Sequence, residues 1–538
     1  MKIKRIIALL LSICMLFLCG CGKNSPSGAN NGNLTGLKTE SANLLYCAND
    51  TFNPYTLTTK VNMELCQLLF EPLVTLSNNF EPIYRLAESA VQDGKVWSVK
   101  LKHAKFSDES LVSADDVIYS FNLAKKCDVY SSSLSHVNSA VKDGEKVNFN
   151  LSYNDPFFIN LLTFPIIKAE SDKITDADSV LFPPIGAGPY VLNDEKTKLG
   201  LNPNYYSSPA RFGTINLVNA PDKDSVGHYV EVGATDFYYA DILDGTIFRM
   251  DGKKLTVNQN RLVYIGMNMR MSVFKEPKVR YCLSAAIDRE KISKNAYYSN
   301  ALPAESPLNP AFLSEDNYKT LETKANTKIA IENLEQIGYN ILDNSGFRKN
   351  NAGRTLEFTL LINADNVYQQ EASKIIVSDL REVGIRVTVR ALDYENYLSA
   401  LNSGSFQLYL AEVKVNNNFD LSELIVPGGK CAFGIVGKTQ TEESETPQNE
   451  ETQSTENEET QSNENAMQST VINNDLTDLV KRYENGTVTI SQLVSAVSSQ
   501  MPFIPVCYRT GILFYNSKIE GINNASSSDL FMSFKNNS

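Results

Sequence analysis

Residues 356–410 read LEFTLLINADNVYQQEASKIIVSDLREVGIRVTVRALDYENYLSALNSGSFQLYL. Leu356, Phe358, Leu360 and Ile362 fall on every second position, as in a strand with one buried face. Residues 367–383 place Ile375, Ile376, Leu380 and Val383 at helical spacing, and Gly384 supplies a left-handed stop. Ile385, Val387 and Val389 alternate again. Asp393 can cap a short helix that runs through Leu401, and Gly404 ends it. Phe406, Leu408 and Leu410 form a third strand. A β-α-β-α-β run predicts a mostly parallel sheet covered by helices. Ligands of such sheets bind beyond the carboxyl ends of the strands. That points to residues 363–366 and to the loop after Leu410.

Further toward the N-terminus, residues 53–121 read NPYTLTTKVNMELCQLLFEPLVTLSNNFEPIYRLAESAVQDGKVWSVKLKHAKFSDESLVSADDVIYSF. An apolar helical run, 63–70, follows the NPYT loop. Val96–Leu101 reads as a strand with Trp97, Val99 and Leu101 on one face. Ser113 is a helix N-cap with Asp116 three residues on, ahead of an apolar face of Val117, Ile118, Phe121 and Ala124. The glycines at 186 and 188 suggest a nucleotide loop, but Pro189 follows and no third glycine comes at the required spacing. Residues 261–269 read as a strand. Residues 279–295 read as one helix, with the charges at 288–291 on a solvated face. Helices are expected over 475–483 and 489–497, and a strand from Phe503. Between them, residues 440–465 hold nine glutamates and no Lys or Arg, and NEETQS occurs at Asn449 and again at Asn457. Such a tract cannot bury enough apolar area to offset its ordering entropy. It reads as a disordered insert in a folded lobe.

The 538 residues allow two or three domains. The formal charge of -12 argues against nucleic acid as a partner. Lys2, Lys4 and Arg5 precede an apolar run, 6–18, that is too short to span a bilayer comfortably. Leu18-Cys19-Gly20-Cys21 then reads as a lipobox with Cys21 as the lipid acceptor; the alternatives are an ordinary secretory signal or a short anchor. Residues 22–41 are rich in Gly, Asn and Ser, a tether of about 25 Å as a random coil. No later run reaches membrane-spanning length. Cys47, Cys66, Cys127, Cys282, Cys431 and Cys507 are scattered, so neither a zinc site nor a dense disulfide frame is signalled, and a single disulfide stays open. The three histidines lie far apart, and no zinc-protease, nucleophile-elbow or Walker motif occurs.

The ordered pattern "NP…LFEPL…P.LAES…G..W...L...KFSD...L.A.DV.YSF" resembles the extracellular solute-binding proteins of family 5. "GAGPYVL" from Gly186, "NPNYY" from Asn202, "VRYCLSAAIDREKI" from Val279 and "IPVCYRTG" from Ile504 extend the likeness over nearly the whole chain after the tether. These are receptors that deliver peptides, and in some branches nickel or sugars, to ABC transporters. The resemblance implies an α/β, periplasmic-binding-protein-like type II fold of the large class, with an extra subdomain, two lobes, a hinge and an interlobe cleft. It implies no catalysis, no cofactor and no metal held as a cofactor. The signal would be 1–20 and the tether 21–43. The first lobe would be 44–80, 183–264 and 512–538, the extra subdomain 81–182, and the second lobe 265–511. The partners implied are a peptide or other small solute, the permease subunits, and the membrane through a lipid on Cys21, with the receptor acting as a monomer outside the cytoplasm. A secreted hydrolase using the same cleft, or a sensory receptor that signals without import, are the rival classes.

Peptide-binding members carry "ADY.DP...L" after the third strand of the second lobe. Its first aspartate meets the peptide's ammonium in a charge-assisted hydrogen bond. The corresponding stretch here is AEVKVNNNFDL, 411–421. With Asp420-Leu421 on the family's "DP", a neutral Asn417 stands where that aspartate would lie, and Lys414 stands near a usual Trp. Asp420 or Glu412 could supply the charge instead. Tyr130 corresponds to a tyrosine lining the family's cleft, and Thr59 and Lys60 lie in the loop before the LFEPL helix, which borders the ligand. The ligand set expected from the resemblance is therefore Thr59, Lys60, Tyr130, Lys414, Asn417 and Asp420.

Overall fold

The computed structural model describes residues 41–173, 183–208, 210–241, 247–312, 323–436 and 476–535. The signal, Cys21, almost all of the tether and the acidic tract 440–465 lie outside the described residues.

The stretch 356–410 folds as strand Glu357–Asn363, helix Val367–Glu382, strand Arg386–Leu392, helix Tyr394–Ser403 and strand Leu408–Lys414. The Asn366 side chain accepts from the Tyr368 and Gln369 N–H groups at the first helix's start, and Asp393 accepts from Asn396 at the second's. Gly384 and Gly404 take φ of +84° and +71° at the two helix ends, where a Cβ would be strained. Strand Glu357–Asn363 is central and runs parallel to both of the others. Strand Arg386–Leu392 ends the sheet, so its alternation does not bury a face: Val389 is exposed.

The expectation of a mostly parallel sheet holds only for these three strands. Beyond them run two long antiparallel strands, Lys253–Met267 and Phe503–Tyr515. Each serves two cores. Val257, Leu513 and Tyr515 pack with Leu65, Leu69, Phe70 and Ile215. Val263, Ile265, Ile504 and Val506 pack instead with Leu283, Phe358, Leu360 and Ile376. The same two strands thus build both lobes. The chain crosses between lobes in both directions, so the strands that carry it must pair antiparallel. At the crossover Asn258 pairs with Thr510 and Leu262 with Tyr508, which leaves 259–261 bulged opposite Arg509. A bulge bends its strand and re-aims its side chains.

The first lobe adds the parallel pair Ser41–Tyr46 and Thr214–Asn219. Gly186 and Gly188 press on the end of helix Lys60–Leu69, where a Cβ would lie 2.2 and 2.4 Å from atoms of Leu69. They are packing residues and not a phosphate loop. A third core forms around a four-stranded antiparallel sheet that includes Val96–Leu101. Its Trp97, Val99 and Leu101 face inward, and the Trp97 indole donates to the Asp155 carbonyl at 3.0 Å. Beside it, the Ser113 N–H and hydroxyl both donate to Asp116 at the start of helix Ala114–Ala124.

The stretch 279–295 differs from its sequence reading. It forms two helices, Pro277–Ala286 and Arg289–Asn295, with Asp288 capping the second. The break turns Arg289 inward, where it is only 1% exposed and donates to the carbonyls of Ser284, Ile287, Ala304 and Pro505. A guanidinium that serves carbonyls left over at a helix end is a structural tie, so residues 288–291 are not simply a solvated face. All six cysteines named above are free thiols. Among the described residues no helix is long and apolar enough to cross a membrane.

Candidate ligand cleft

A cavity of about 410 Å³ opens at the crossover bulge, within the size range of small-molecule sites. Asn260 and Arg261 of the bulge line it together with Lys414, Asn417, Thr75 and Asp241. The sheet register explains the cations. Arg261 pairs directly with Lys414 across the antiparallel strands, and like charges placed opposite destabilise a sheet. Arg261 is relieved in part by Glu412 at 3.6 Å, which also takes Arg509 at 2.8 Å. Lys414 has no ion-pair partner among the described residues. The cavity walls, followed by the Arg261 charge, push its ammonium below the usual lysine value.

Three acceptors in this wall have no hydrogen-bond partner: Thr75 Oγ1, Asp241 Oδ1 and Asn260 Oδ1. Asn260 cannot turn away, because its Nδ2 donates to the Asn416 carbonyl at 3.1 Å and its own carbonyl accepts from Val415. Such a buried atom costs about 1–3 kcal/mol when left without a donor. Three together in one wall suit a ligand that brings N–H or O–H groups.

The cavity brings together Tyr130, Lys414 and Asn417 of the expected set. Tyr130 packs edge-on against Tyr55 and Phe164, and burial raises its hydroxyl pKa. The Asn417 carbonyl accepts from Asn160, which ties this loop to the third core. The other three residues lie elsewhere. Thr59 donates from its N–H and hydroxyl to Asp50 Oδ2, both at 2.6 Å. Burial alone would raise the Asp50 pKa, yet these bonds hold it below the usual value. Lys60 donates to the Tyr239 carbonyl at 3.0 Å and lies 3.9 Å from Glu64. Thr59 and Lys60 line a second, more apolar cavity of about 280 Å³, which shares Tyr239 and Asp241 with the first. Burial lifts Glu64 there to about 7 despite Lys60. Asp420 is outside both walls: its carboxylate accepts from the Ser422 N–H at 2.8 Å and from the Tyr153 hydroxyl at 3.4 Å. Phe419 before it is buried at φ +59° against Phe80, Phe157 and Phe312, which turns Asp420 away.

Asp241, Asn260, Arg261 and Thr75 were not anticipated. One signal was present: the polar run Asn258-Gln-Asn-Arg261 stands directly before the apolar stretch 262–265, where a bulge can re-aim the strand. Among the described residues no group of three or more His, Cys, Asp or Glu side chains is placed to hold a metal ion.

Two α/β lobes, two shared strands and a cleft at their crossover define a solute-binding receptor of the type II periplasmic-binding-protein class. The chain belongs to the bacterial extracellular solute-binding proteins, family 5, whose middle-region model matches residues 81–426. It is 24% identical over 437 residues to the oligopeptide-binding protein AppA of Bacillus subtilis, covering 75% of this chain and 79% of that protein. It is 21% identical over 450 residues to heme-binding protein A of Haemophilus influenzae, covering 75% and 80%. Among solved structures, a nickel ABC transporter protein of Bacillus halodurans superposes with a TM-score of 0.67 at 18% identity, over 89% of this chain and 95% of that one. AppA of Bacillus subtilis in complex with a nonapeptide superposes at 0.52 and 20%, over 92% and 99%. The family comprises extracytoplasmic substrate-binding receptors of ABC transporters, not enzymes.

Proposed function

We propose that this protein captures a peptide or peptide-like solute in the larger cleft, closes its lobes over it and delivers it to the permease subunits of an ABC importer. The observation that carries the ligand class is the set of unpartnered acceptors at Thr75, Asp241 and Asn260 around the bulge. An extended peptide supplies N–H donors in a row, and backbone hydrogen bonds give affinity without demanding one sequence. The name of the Bacillus subtilis relative, an oligopeptide-binding protein, supports the same reading. Tyr130, Lys414 and Asn417 would contact the solute. Residues 44–80, 183–264 and 512–538 would move as one lobe against 265–511, with 81–182 as the extra subdomain and the bulge 259–261 in the hinge. The receptor would work as a monomer, held to the membrane by a lipid on Cys21; Cys21→Ala should then leave the membrane fraction or accumulate as precursor, and normal processing with retention would contradict the anchor. The ligand class is tested by calorimetry with a panel of short peptides, a nickel–histidine chelate and sugars. Binding of peptides is expected. Tight binding of the chelate or a sugar, with none of any peptide, would overturn the peptide reading.

A further inference from the structure

Two ionisable residues that line the cleft, Asp241 and the exposed Lys414, have no ion pair among the described residues. Asp241 Oδ1 is buried without a hydrogen-bond partner, and no ion pair reaches the carboxylate among the described residues. Lys414, on the opposite lobe, likewise has none. The two are near enough for Asp241 to act on the Lys414 charge, yet they do not pair with each other.

Their placement follows from the sheet. Asp241 comes directly after strand Phe237–Ala240, whose Ala240 pairs with Ile512 on the long strand Phe503–Tyr515. Lys414 pairs with Arg261, the last residue of the bulge that faces Arg509 on that same strand. The carboxylate therefore stands on the first-lobe side of the crossover and the ammonium on the second-lobe side, and Asn260 lines the same cavity.

We propose that Asp241 and Lys414 are the two poles of a zwitterion site: Asp241 receives the ligand's ammonium group, and Lys414 with Arg261 receives its carboxylate or its electron-rich carbonyl end. The assignment rests on the peptide reading above and specifies which residue reads the free amine. It places the anion on the first lobe, whereas the sequence comparison looked for it at Asn417, Asp420 or Glu412. Asn417 carries no charge. Asp420 accepts from the Ser422 N–H at the start of the short helix Ser422–Ile425 and lies outside the wall. Glu412 is held between Arg509 and Arg261. An ammonium on the Asp241 carboxylate would make a charge-assisted contact. Because Asp241 and Lys414 sit on opposite lobes, a solute that carries both charges would also favour the closed arrangement over the open one.

The test is calorimetry on the full chain with a pool of unmodified pentapeptides and the same pool N-acetylated, using wild type, Asp241→Asn and Asp420→Asn. Acetylation should weaken binding to wild type at least tenfold. Asp241→Asn should bind the unmodified pool at least tenfold more weakly and no longer distinguish the two pools, while thermal melting shows it folded. Retained preference for the free amine in Asp241→Asn, or loss of that preference in Asp420→Asn instead, would overturn the assignment and leave the peptide reading standing. If wild type takes up neither pool, the peptide reading falls and the zwitterion site with it.

Discussion

Two charged clusters adjoin in this protein and have opposite character. In the first, Glu71 is fully buried and takes both Arg85 nitrogens at 3.1 Å, the Tyr205 hydroxyl at 2.8 Å and Lys535 at 3.6 Å. Lys535 also reaches Asp529 at 3.1 Å. In the second, around the crossover bulge, Asp241 and Asn260 keep buried oxygens without hydrogen-bond partners, and Lys414 has no ion pair among the described residues. Residue types do not separate the two clusters, since both mix carboxylates with Arg and Lys. Saturation does. The Glu71 cluster pairs its Arg and Lys with its own carboxylates and ties the LFEPL helix region to the C-terminal segment. The cleft cluster leaves buried acceptors without partners on residues that line a cavity, which costs stability.

Breaking the saturated cluster should have the largest effect. Glu71→Ala leaves Arg85 as a buried cation without its ion-pair partner and Lys535 with Asp529 alone, and should cost about 3–5 kcal/mol in urea denaturation; a loss under 1 kcal/mol would mean the cluster is not a structural tie. Its pH dependence has a definite sign. Burial would raise the Glu71 pKa, but Lys535 and Arg85 bring it below the usual value. The stability it contributes is therefore present above the unfolded-state pKa of about 4.3 and lost as pH falls through the lower folded value.

The cleft should respond in the other direction. The Lys414 ammonium is pushed below the usual lysine value, so its charged form is disfavoured in the folded protein at neutral pH and the penalty fades as pH rises toward the unfolded value. Lys414→Met should therefore leave stability unchanged or raise it by up to about 0.5 kcal/mol at pH 7, the gain being small because solvent in the cleft screens the charge. Peptide binding should weaken at the same time. A clear loss of stability would make Lys414 part of the scaffold and erase the contrast with Glu71.

The scaffold was legible in the sequence wherever one residue type serves one local purpose. Gly384 and Gly404 marked helix ends, Asp393 and Ser113 marked helix starts, and Trp97, Val99 and Leu101 marked a buried face. The antiparallel strands that join the lobes were less legible. Residues 253–260 are largely polar, and their pairing with 510–515 spans some 250 positions of chain. The site was half legible for the same reason. Tyr130, Lys414 and Asn417 came from a family pattern tied to neighbouring strands, and the structure places them in one wall. Asp241 and Asn260 reach that wall only through the sheet register and the bulge. Arg289 shows the converse: read as a surface charge, it is a buried tie, because Asp288 ends one helix and starts another.

The most direct measurement of the central claim, that the crossover cavity holds the solute, compares what co-purifies with wild type and with Asn417→Trp. The indole would take up space in the cavity that Asn417 lines. Mass spectrometry after denaturation should find a small peptide-like solute released by wild type and none by Asn417→Trp, with the two proteins melting within a few degrees of each other. The same solute released in equal amount by a normally folded Asn417→Trp would contradict the account and place the binding site elsewhere.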